Sequence, residues 1–217
     1  MTEMTCFYPV EKLKKLNMDE LYKRLHADGQ GEEDRRIRER AFVLWERVKD
    51  RMKLSACCRM GEHAFSTGIA AADACQMQIV CLVYVSDGGE SVCGSKEEPD
   101  ILDMYLLDVI GSEMLFQASE RLNAYLWRTF CEKGLFLTAP YFPGDDGIPL
   151  EVQKGLLEII KQEEQVEVEI GSGMMLTPEK TLLYVFGADR NNKRYVRGHH
   201  CRQCGRKDCS FRKNVGE

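Results

Sequence analysis

The apolar run Met77–Val85 limits the folds open to this chain more than any other segment. Eight of its nine residues are hydrophobic, and three of these are valines. The run is far shorter than the roughly 20 residues that a membrane-spanning helix needs. A short apolar run that is rich in β-branched residues is typical of a strand buried on both faces. The sequence therefore predicts a buried strand here and no membrane span.

The remaining signals predict more helix than strand. The predicted helices are Met18–His26, Glu32–Met52, Pro99–Phe130 and Pro149–Gln162, and the further predicted strands are Val166–Ile170 and Leu182–Phe186. Asn17 is the expected N-cap of the first helix. Between Ser55 and Ala74 no periodic pattern is present. Because helices and strands do not alternate strictly, their order favours an α+β fold over a parallel, doubly wound sheet.

The composition indicates a globular domain that needs neither a disulfide nor a metal merely to fold. The chain has 217 residues, of which 44% are hydrophobic and 30% are charged, and its formal net charge is −5. This length can bury a proper core, and the mildly acidic balance argues against a protein that coats nucleic acid over its whole surface. The N-terminus has neither the basic nor the apolar region of a secretory signal. We therefore expect a cytoplasmic protein with reduced thiols.

Three of the ten cysteines lie close together in a basic C-terminal segment. Cys201 and Cys204 form a CxxC pair, and Cys209 follows after four intervening residues. Such spacing lets thiolates converge on one metal, and a zinc site would take His200 (or its neighbour, His199) as the fourth ligand. A [4Fe–4S] cluster would take a remote cysteine or leave one iron open. Nine basic residues from Arg190 to Lys213 favour the thiolate form.

Other interpretations of this tail stay open. It could be a basic segment with exposed thiols, a redox-active disulfide, or a basic zinc knuckle that binds nucleic acid. Between His199 and Arg212 such a knuckle has a single aromatic residue, Phe211, for stacking on bases, so nucleic acid is an unfavoured partner. A missing metal ligand could come from Cys57, Cys58 or Cys75, which the sequence places in or beside irregular segments.

Two separated stretches carry a family resemblance. The first is Leu107–Ser112 (LDVIGS), early in the long predicted helix, which a Pro-Tyr-Phe-Pro loop follows some thirty residues later. The second is Ile170–Thr181 (IGSGMMLTPEKT), which leads into a strand. Together they resemble the activation (S-adenosylmethionine-binding) domain of vitamin B12-dependent methionine synthase, and still more the short stand-alone relatives of that domain, which often end in a cysteine cluster. The resemblance covers roughly residues 17–188.

The resemblance implies a twisted antiparallel sheet flanked by helices, and a domain that docks on a cobalamin domain. There it presents S-adenosylmethionine so that an oxidised corrinoid is remethylated, with an electron from a flavodoxin. The family's ligand loop corresponds to Pro140, Tyr141 and Phe142, and Glu113 is the residue nearest to its acidic partner in the long helix. Leu137 stands where the family has an arginine that would pair with the ligand's carboxylate.

These observations predict two parts, an activation domain-like α+β domain over residues 1–188 and a metal-binding tail over residues 189–217. The favoured function is an accessory protein for corrinoid-dependent methyl transfer and reductive reactivation. Its partners would be a corrinoid protein or methyltransferase and an electron-transfer protein. The alternatives are a non-catalytic binding module with a structural zinc, and an S-adenosylmethionine-binding protein with altered ligand contacts. No hydrolase, metalloprotease or nucleotide-binding motif is present in the sequence, so whether the chain is an enzyme stays open.

The division into two parts is testable with Cys204→Ser. We expect the substituted protein to lose its bound metal while the main domain stays folded, because residues 17–188 can build a core without the tail. Metal analysis and thermal unfolding measured together check this. A loss of thermal stability across the whole domain would contradict the division.

Overall fold

The computed structural model describes the backbone of residues 4–7 and all of residues 16–86, 100–145, 147–162 and 164–191. The tail from residue 192 onward lies outside this part of the chain.

The described chain forms helices and strands in mixed order. The helices are α1 (Met18–Arg24), α2 (Glu32–Val48), α3 (Ala70–Asp73), α4 (Ile101–Glu132) and α5 (Val152–Lys161). The strands are β1 (Met4–Phe7), β2 (Lys53–Glu62), β3 (Met77–Ser86), β4 (Phe136–Leu137), β5 (Glu169–Ile170), β6 (Leu176–Thr177) and β7 (Thr181–Asp189). Five strands form one antiparallel sheet in the order β1-β2-β3-β7-β4, and β5 pairs with β6 in a small hairpin. This is the α+β fold, an antiparallel sheet flanked by helices, that the sequence predicted.

Strand β3 is the centre of the sheet, and all ten of its residues are buried. Ile79, Cys81 and Val83 face one apolar cluster, whereas Val80 and Leu82 face a second cluster on the opposite side. Successive side chains of a strand point to opposite faces, so both faces of β3 are covered. The prediction of a doubly buried strand is confirmed.

Helices cover the two faces of the sheet unequally. Helices α1, α2 and α4 contribute to the first cluster, which we call the α4 face, while α3 and α5 contribute to the second, the α5 face. The 32-residue helix α4 begins at Ile101 and is capped by Asp100, whose side chain accepts a hydrogen bond from the Leu102 amide. In the part of the chain that is described, no helix is sufficiently long and apolar to cross a membrane.

Strand β2 is the largest element that the sequence did not predict. Eight of its ten residues fall in the segment that was expected to be without a pattern, and all ten pair with residues of β3. The alternation is hidden because small residues and Arg59 occupy buried positions that usually carry large apolar side chains. The expectation that Cys57 and Cys58 belong to an irregular segment is therefore wrong.

Smaller differences concern the ends of elements. Helix α1 ends at Arg24, two residues early, and His26 adopts a positive φ of 53°. Helix α2 ends at Val48 instead of Met52, whose side chain is nonetheless buried in the core. Of the predicted strand 166–170, only β5 is formed. The sequence thus located these elements but extended them too far.

Arg59 is a buried cation on the α5 face that closes the end of α5. It is 5% exposed, and its Nη1 donates to the carbonyl of Ile159 at 2.8 Å and to the side-chain oxygen of Gln162. The last carbonyls of a helix have no partners within the helix, and a cation at that end also interacts favourably with the helix dipole. The guanidinium lies 5.6 Å from the centroid of the Phe65 ring. Arg59 therefore fastens α5 to the sheet.

Replacing Arg59 with methionine should destabilise the fold by about 2–3 kcal/mol, because the buried carbonyl of Ile159 loses a charged donor. The free energy of unfolding in urea measures this effect. Arg47→Met on the exposed side of α2 is the matched control, and we expect it to change stability by less than about 0.5 kcal/mol. Equal effects of the two substitutions would contradict the capping role of Arg59.

Candidate functional site

Residues 138–145, which we call the edge loop, follow β4 and continue along β7. They therefore prolong the edge of the sheet that β4 begins. The amide of Thr138 donates to the carbonyl of Gly187 at 2.8 Å, and the Gly187 amide donates to Thr138 Oγ1 at 3.0 Å. Tyr141 and Val185 exchange two backbone hydrogen bonds of 2.9 and 3.0 Å. The sheet therefore fixes the direction of the first half of this loop.

The two aromatic side chains of the edge loop lie on opposite faces of the sheet. Tyr141 packs on the α5 face, whereas Phe142 packs on the α4 face. The ring centroids of Phe142 and Tyr184 are 5.2 Å apart, and the Tyr184 hydroxyl donates to Asn123 Oδ1 of α4 at 2.8 Å. Burial raises the pKa of Tyr184 well above its usual value, so the hydroxyl remains a donor. A chain of contacts thus joins the loop to α4.

The position that the resemblance assigns to a ligand-binding arginine lies in the core. Leu137 is 1% exposed and pairs with Ala188 across β4 and β7. Within the edge loop Asp145 is the single charged residue, and Pro140 and Tyr141 are half-buried. The loop therefore offers aromatic surface to a ligand, and it has no cation to hold a carboxylate.

Glu113 is already bound by neighbouring side chains. It is 2% exposed, and its Oε2 accepts from Arg24 Nε at 2.6 Å while its Oε1 accepts from Gln117 Nε2 at 2.8 Å. Gln117 also accepts a hydrogen bond of 2.7 Å from the backbone amide of Asn17. Both carboxylate oxygens of Glu113 have protein partners, so this residue fastens α1 to α4.

The structure does not bring Glu113 together with residues 140–142. Asn123, the α4 residue that Tyr184 contacts, follows Glu113 by ten residues, which is about 15 Å along a helix. Two shallow cavities of about 300 and 270 Å³ lie over the seam between α1 and α4; Glu113 lines the first, and the second extends along α4 to Ala124. Neither cavity is lined by residues 140–142, and the ligand-binding role of these residues stays a prediction.

Lys180 joins the two stretches that carry the family resemblance. Its Nζ lies 2.5 Å from Asp108 Oδ1 and 2.9 Å from Ser112 Oγ. The aliphatic part of the side chain passes over Gly111, where an added side-chain carbon would lie 3.5 Å from Lys180 Cγ. Both stretches stand out in the sequence, but their contact was not predicted, although the opposite charges of Asp108 and Lys180 were the available signal.

No group of three or more metal-ligating side chains occurs within the described residues. The predicted metal ligands His200, Cys201, Cys204 and Cys209 lie outside those residues, so the tail site stays a prediction.

The cysteines that could supply a missing metal ligand differ in solvent exposure. Cys57 and Cys58 are 2% and 1% exposed and belong to the clusters on opposite faces of the sheet. Burial, helped by the nearby Glu164 carboxylate, raises the pKa of the Cys57 thiol to about 12. Both thiols are therefore closed to solvent within the described part of the chain. Cys75 is partly exposed.

Comparison with known proteins adds one finding about the fold. No family model matches the chain, and no curated protein matches it. Among solved structures it is similar to the MetH reactivation domain, whose crystal structure contains AdoHcy. The TM-score is 0.61, with 8% sequence identity, over 90% of this chain and 81% of that chain. At this identity the likeness concerns the fold, and it confirms the fold that the family resemblance implied.

The pairing of Glu113 with Arg24 can be tested by substitution. Glu113→Met should destabilise the fold by about 3 kcal/mol, because it leaves a largely buried guanidinium without its carboxylate. Adding Arg24→Met should restore most of that loss, since an apolar pair of similar volume can replace a buried ion pair. The free energy of unfolding measures both variants.

Glu158→Met, on the exposed side of α5, is the control for the loss of a carboxylate. We expect it to change stability by less than about 0.5 kcal/mol. A double variant no more stable than Glu113→Met alone would refute the structural role of the pair.

Proposed function

We propose that this chain is an accessory protein for corrinoid-dependent methyl transfer that takes part in the reductive reactivation of a corrinoid partner. The partner would be a corrinoid protein or methyltransferase, and an electron-transfer protein would supply electrons. The tail, residues 189–217, would carry a metal or an iron–sulfur cluster on Cys201, Cys204 and Cys209, with His200 as a candidate fourth ligand.

The observation that carries this proposal is the match of fold with a reactivation domain over 90% of the chain. The two stretches that suggested the family from sequence meet at the Lys180–Asp108 contact. Two stretches that lie far apart in the sequence are thus in contact in this fold. This agreement favours a related role, because the short motifs and the overall fold are separate signals of the same family.

The arrangement of the described residues is better suited to docking on a partner than to catalysis by their own side chains. When bound, S-adenosylmethionine supplies a methyl group, and a one-electron donor supplies the electron that a cobalt(II) corrinoid needs to accept it. The edge loop has a fixed backbone and aromatic side chains, as expected of a surface that positions other groups. The protein itself would therefore present and orient the methyl donor and the corrinoid.

A second candidate function is S-adenosylmethionine binding with altered contacts. The neighbour's bound AdoHcy favours it, whereas the buried Leu137 removes the expected clamp on the carboxylate. Such a ligand would rely on aromatic contacts with the edge loop and on backbone groups. Calorimetry with S-adenosylmethionine tests this candidate, and no heat at millimolar concentration would end it.

Reactivation itself provides the main test of the proposed function. The full chain is isolated without oxygen, analysed for iron, sulfide and zinc, and added to a corrinoid methyltransferase in its cobalt(II) state with S-adenosylmethionine and a one-electron reductant. We expect methylcobalamin to return at least about tenfold faster than without the chain, equivalent to 1.4 kcal/mol in the barrier. Absorption spectra of the corrinoid follow the reaction.

Cys204→Ser is the matched variant, since it alters the tail centre and leaves the described domain unchanged. We expect it to lose most of the acceleration. A colourless protein that is free of iron and zinc and has no affinity for a corrinoid protein would overturn the proposal. Stoichiometric zinc without any effect on the corrinoid would favour a binding module with a structural zinc.

A further inference from the structure

The first two turns of α4 carry an apolar surface that the described residues leave uncovered. Ile101 is 84% exposed, Tyr105 is 54% exposed, and Met104 and Leu102 are 53% and 43% exposed. Residues three and four apart lie side by side on a helix, so Ile101, Met104 and Tyr105 form one continuous surface with Leu102 at its side. We call these four residues the α4 patch.

The patch ends where other parts of the chain begin to cover α4. The Asp108 carboxylate is bonded to Lys180, whose aliphatic part lies over Gly111. From Val109 to Leu115 every residue of the helix is buried. The four side chains of the patch together expose on the order of 400 Å² of apolar surface, which is as large as the largest apolar patch on a typical monomer. Apolar surface of this extent marks a site of interaction.

The sequence that precedes the patch offers little to cover it. Residues 87–99, between β3 and α4, include only two hydrophobic residues, Val92 and Cys93, beside four acidic ones. Two small side chains are too few to bury four large ones. Another molecule is therefore the better-suited occupant.

A second copy of the chain fits the patch poorly. Asp100 and Asp108 are exposed and stand at its two ends, about 12 Å apart along the helix. Symmetric packing of two patches would bring carboxylates opposite each other, whether the two helices run parallel or antiparallel, and such like-charge contacts are unfavourable. The pair would also bury only on the order of 800 Å², less than the roughly 1,200 Å² of a stable interface.

We propose that the α4 patch is the surface by which this protein docks on its corrinoid partner, an inference that rests on the proposed function. The occupant is an apolar groove of that partner with lysine or arginine side chains at its rim, where they face Asp100 and Asp108. The size of the patch suits a transient complex, because interfaces below about 1,200 Å² are typical of redox and signalling encounters. Tyr105, an aromatic side chain within the patch, is the expected anchor.

Calorimetry with a corrinoid methyltransferase in its cobalt(II) state tests this surface. Wild type is compared with the double variant Ile101→Gln/Tyr105→Gln, since glutamine is polar and favours the helix. We expect the dissociation constant to rise at least about tenfold, because the anchor is lost. Binding of the wild type should weaken as salt is added, since opposite charges meet at the rim.

Phe42→Gln is the matched control. Phe42 is 49% exposed on α2 and lies two residues from Arg40, whose side chain contacts Asp103 of α4. Residues two apart do not share a helix face, so Phe42 points away from the patch. We expect Phe42→Gln to leave the affinity unchanged.

Thermal unfolding of the variants and sedimentation of the wild type identify any other occupant. The double variant should unfold at the wild-type temperature, and the wild type should sediment as a monomer. A destabilised double variant would mean that another part of the chain covers the patch, and dimers that only the wild type forms would mean that a second copy does. Either result would overturn the inference.

The affinities separate this inference from the proposed function. Wild-type affinity retained in the double variant would overturn the docking surface and leave the proposed function standing. A wild type that does not bind the methyltransferase would overturn both.

Discussion

The fold depends on one strand, β3, that has no exposed face. Its backbone groups require partners on both sides, which β2 and β7 supply, and its side chains require cover on both faces. The helices therefore divide into a layer formed by α1, α2 and α4 and a layer formed by α3 and α5. The edge loop lies at the edge of this sheet and packs Tyr141 on one layer and Phe142 on the other.

The sequence predicted the elements whose pattern comes from a continuous apolar surface. Strand β3 and helices α4 and α5 belong to this class. Strand β2 was missed because its buried positions are occupied by small residues, cysteines and Arg59, whose partners include the Ile159 carbonyl at the distant end of α5. The partner of Glu113 could not be predicted either, because the pair Arg24–Glu113 joins residues 89 positions apart. Both cases depend on polar residues that pair over long sequence separations. Such pairs leave no periodic pattern in the local sequence.

The family resemblance predicted the fold correctly, and the ligand site that it implies stays a prediction. The match with the MetH reactivation domain concerns architecture, whereas the position expected for an arginine contains the buried Leu137. An edge loop that is fixed to β7 and joined to α4 through Tyr184 still provides a firm surface. The likeness therefore extends to the fold, and the position that the resemblance assigns to an arginine differs in this chain.

Docking on a corrinoid partner is the central claim, and an affinity difference tests it most directly. Preference for the oxidised partner would direct the protein to the state that needs reactivation and would release it once the corrinoid is methylated. Calorimetry of the full chain with one corrinoid protein, first in its cobalt(II) state and then in its methylated state, measures this difference. We predict binding at least about tenfold tighter to the cobalt(II) state, or 1.4 kcal/mol. Equal affinities would contradict this preference, and no binding to either state would contradict docking itself.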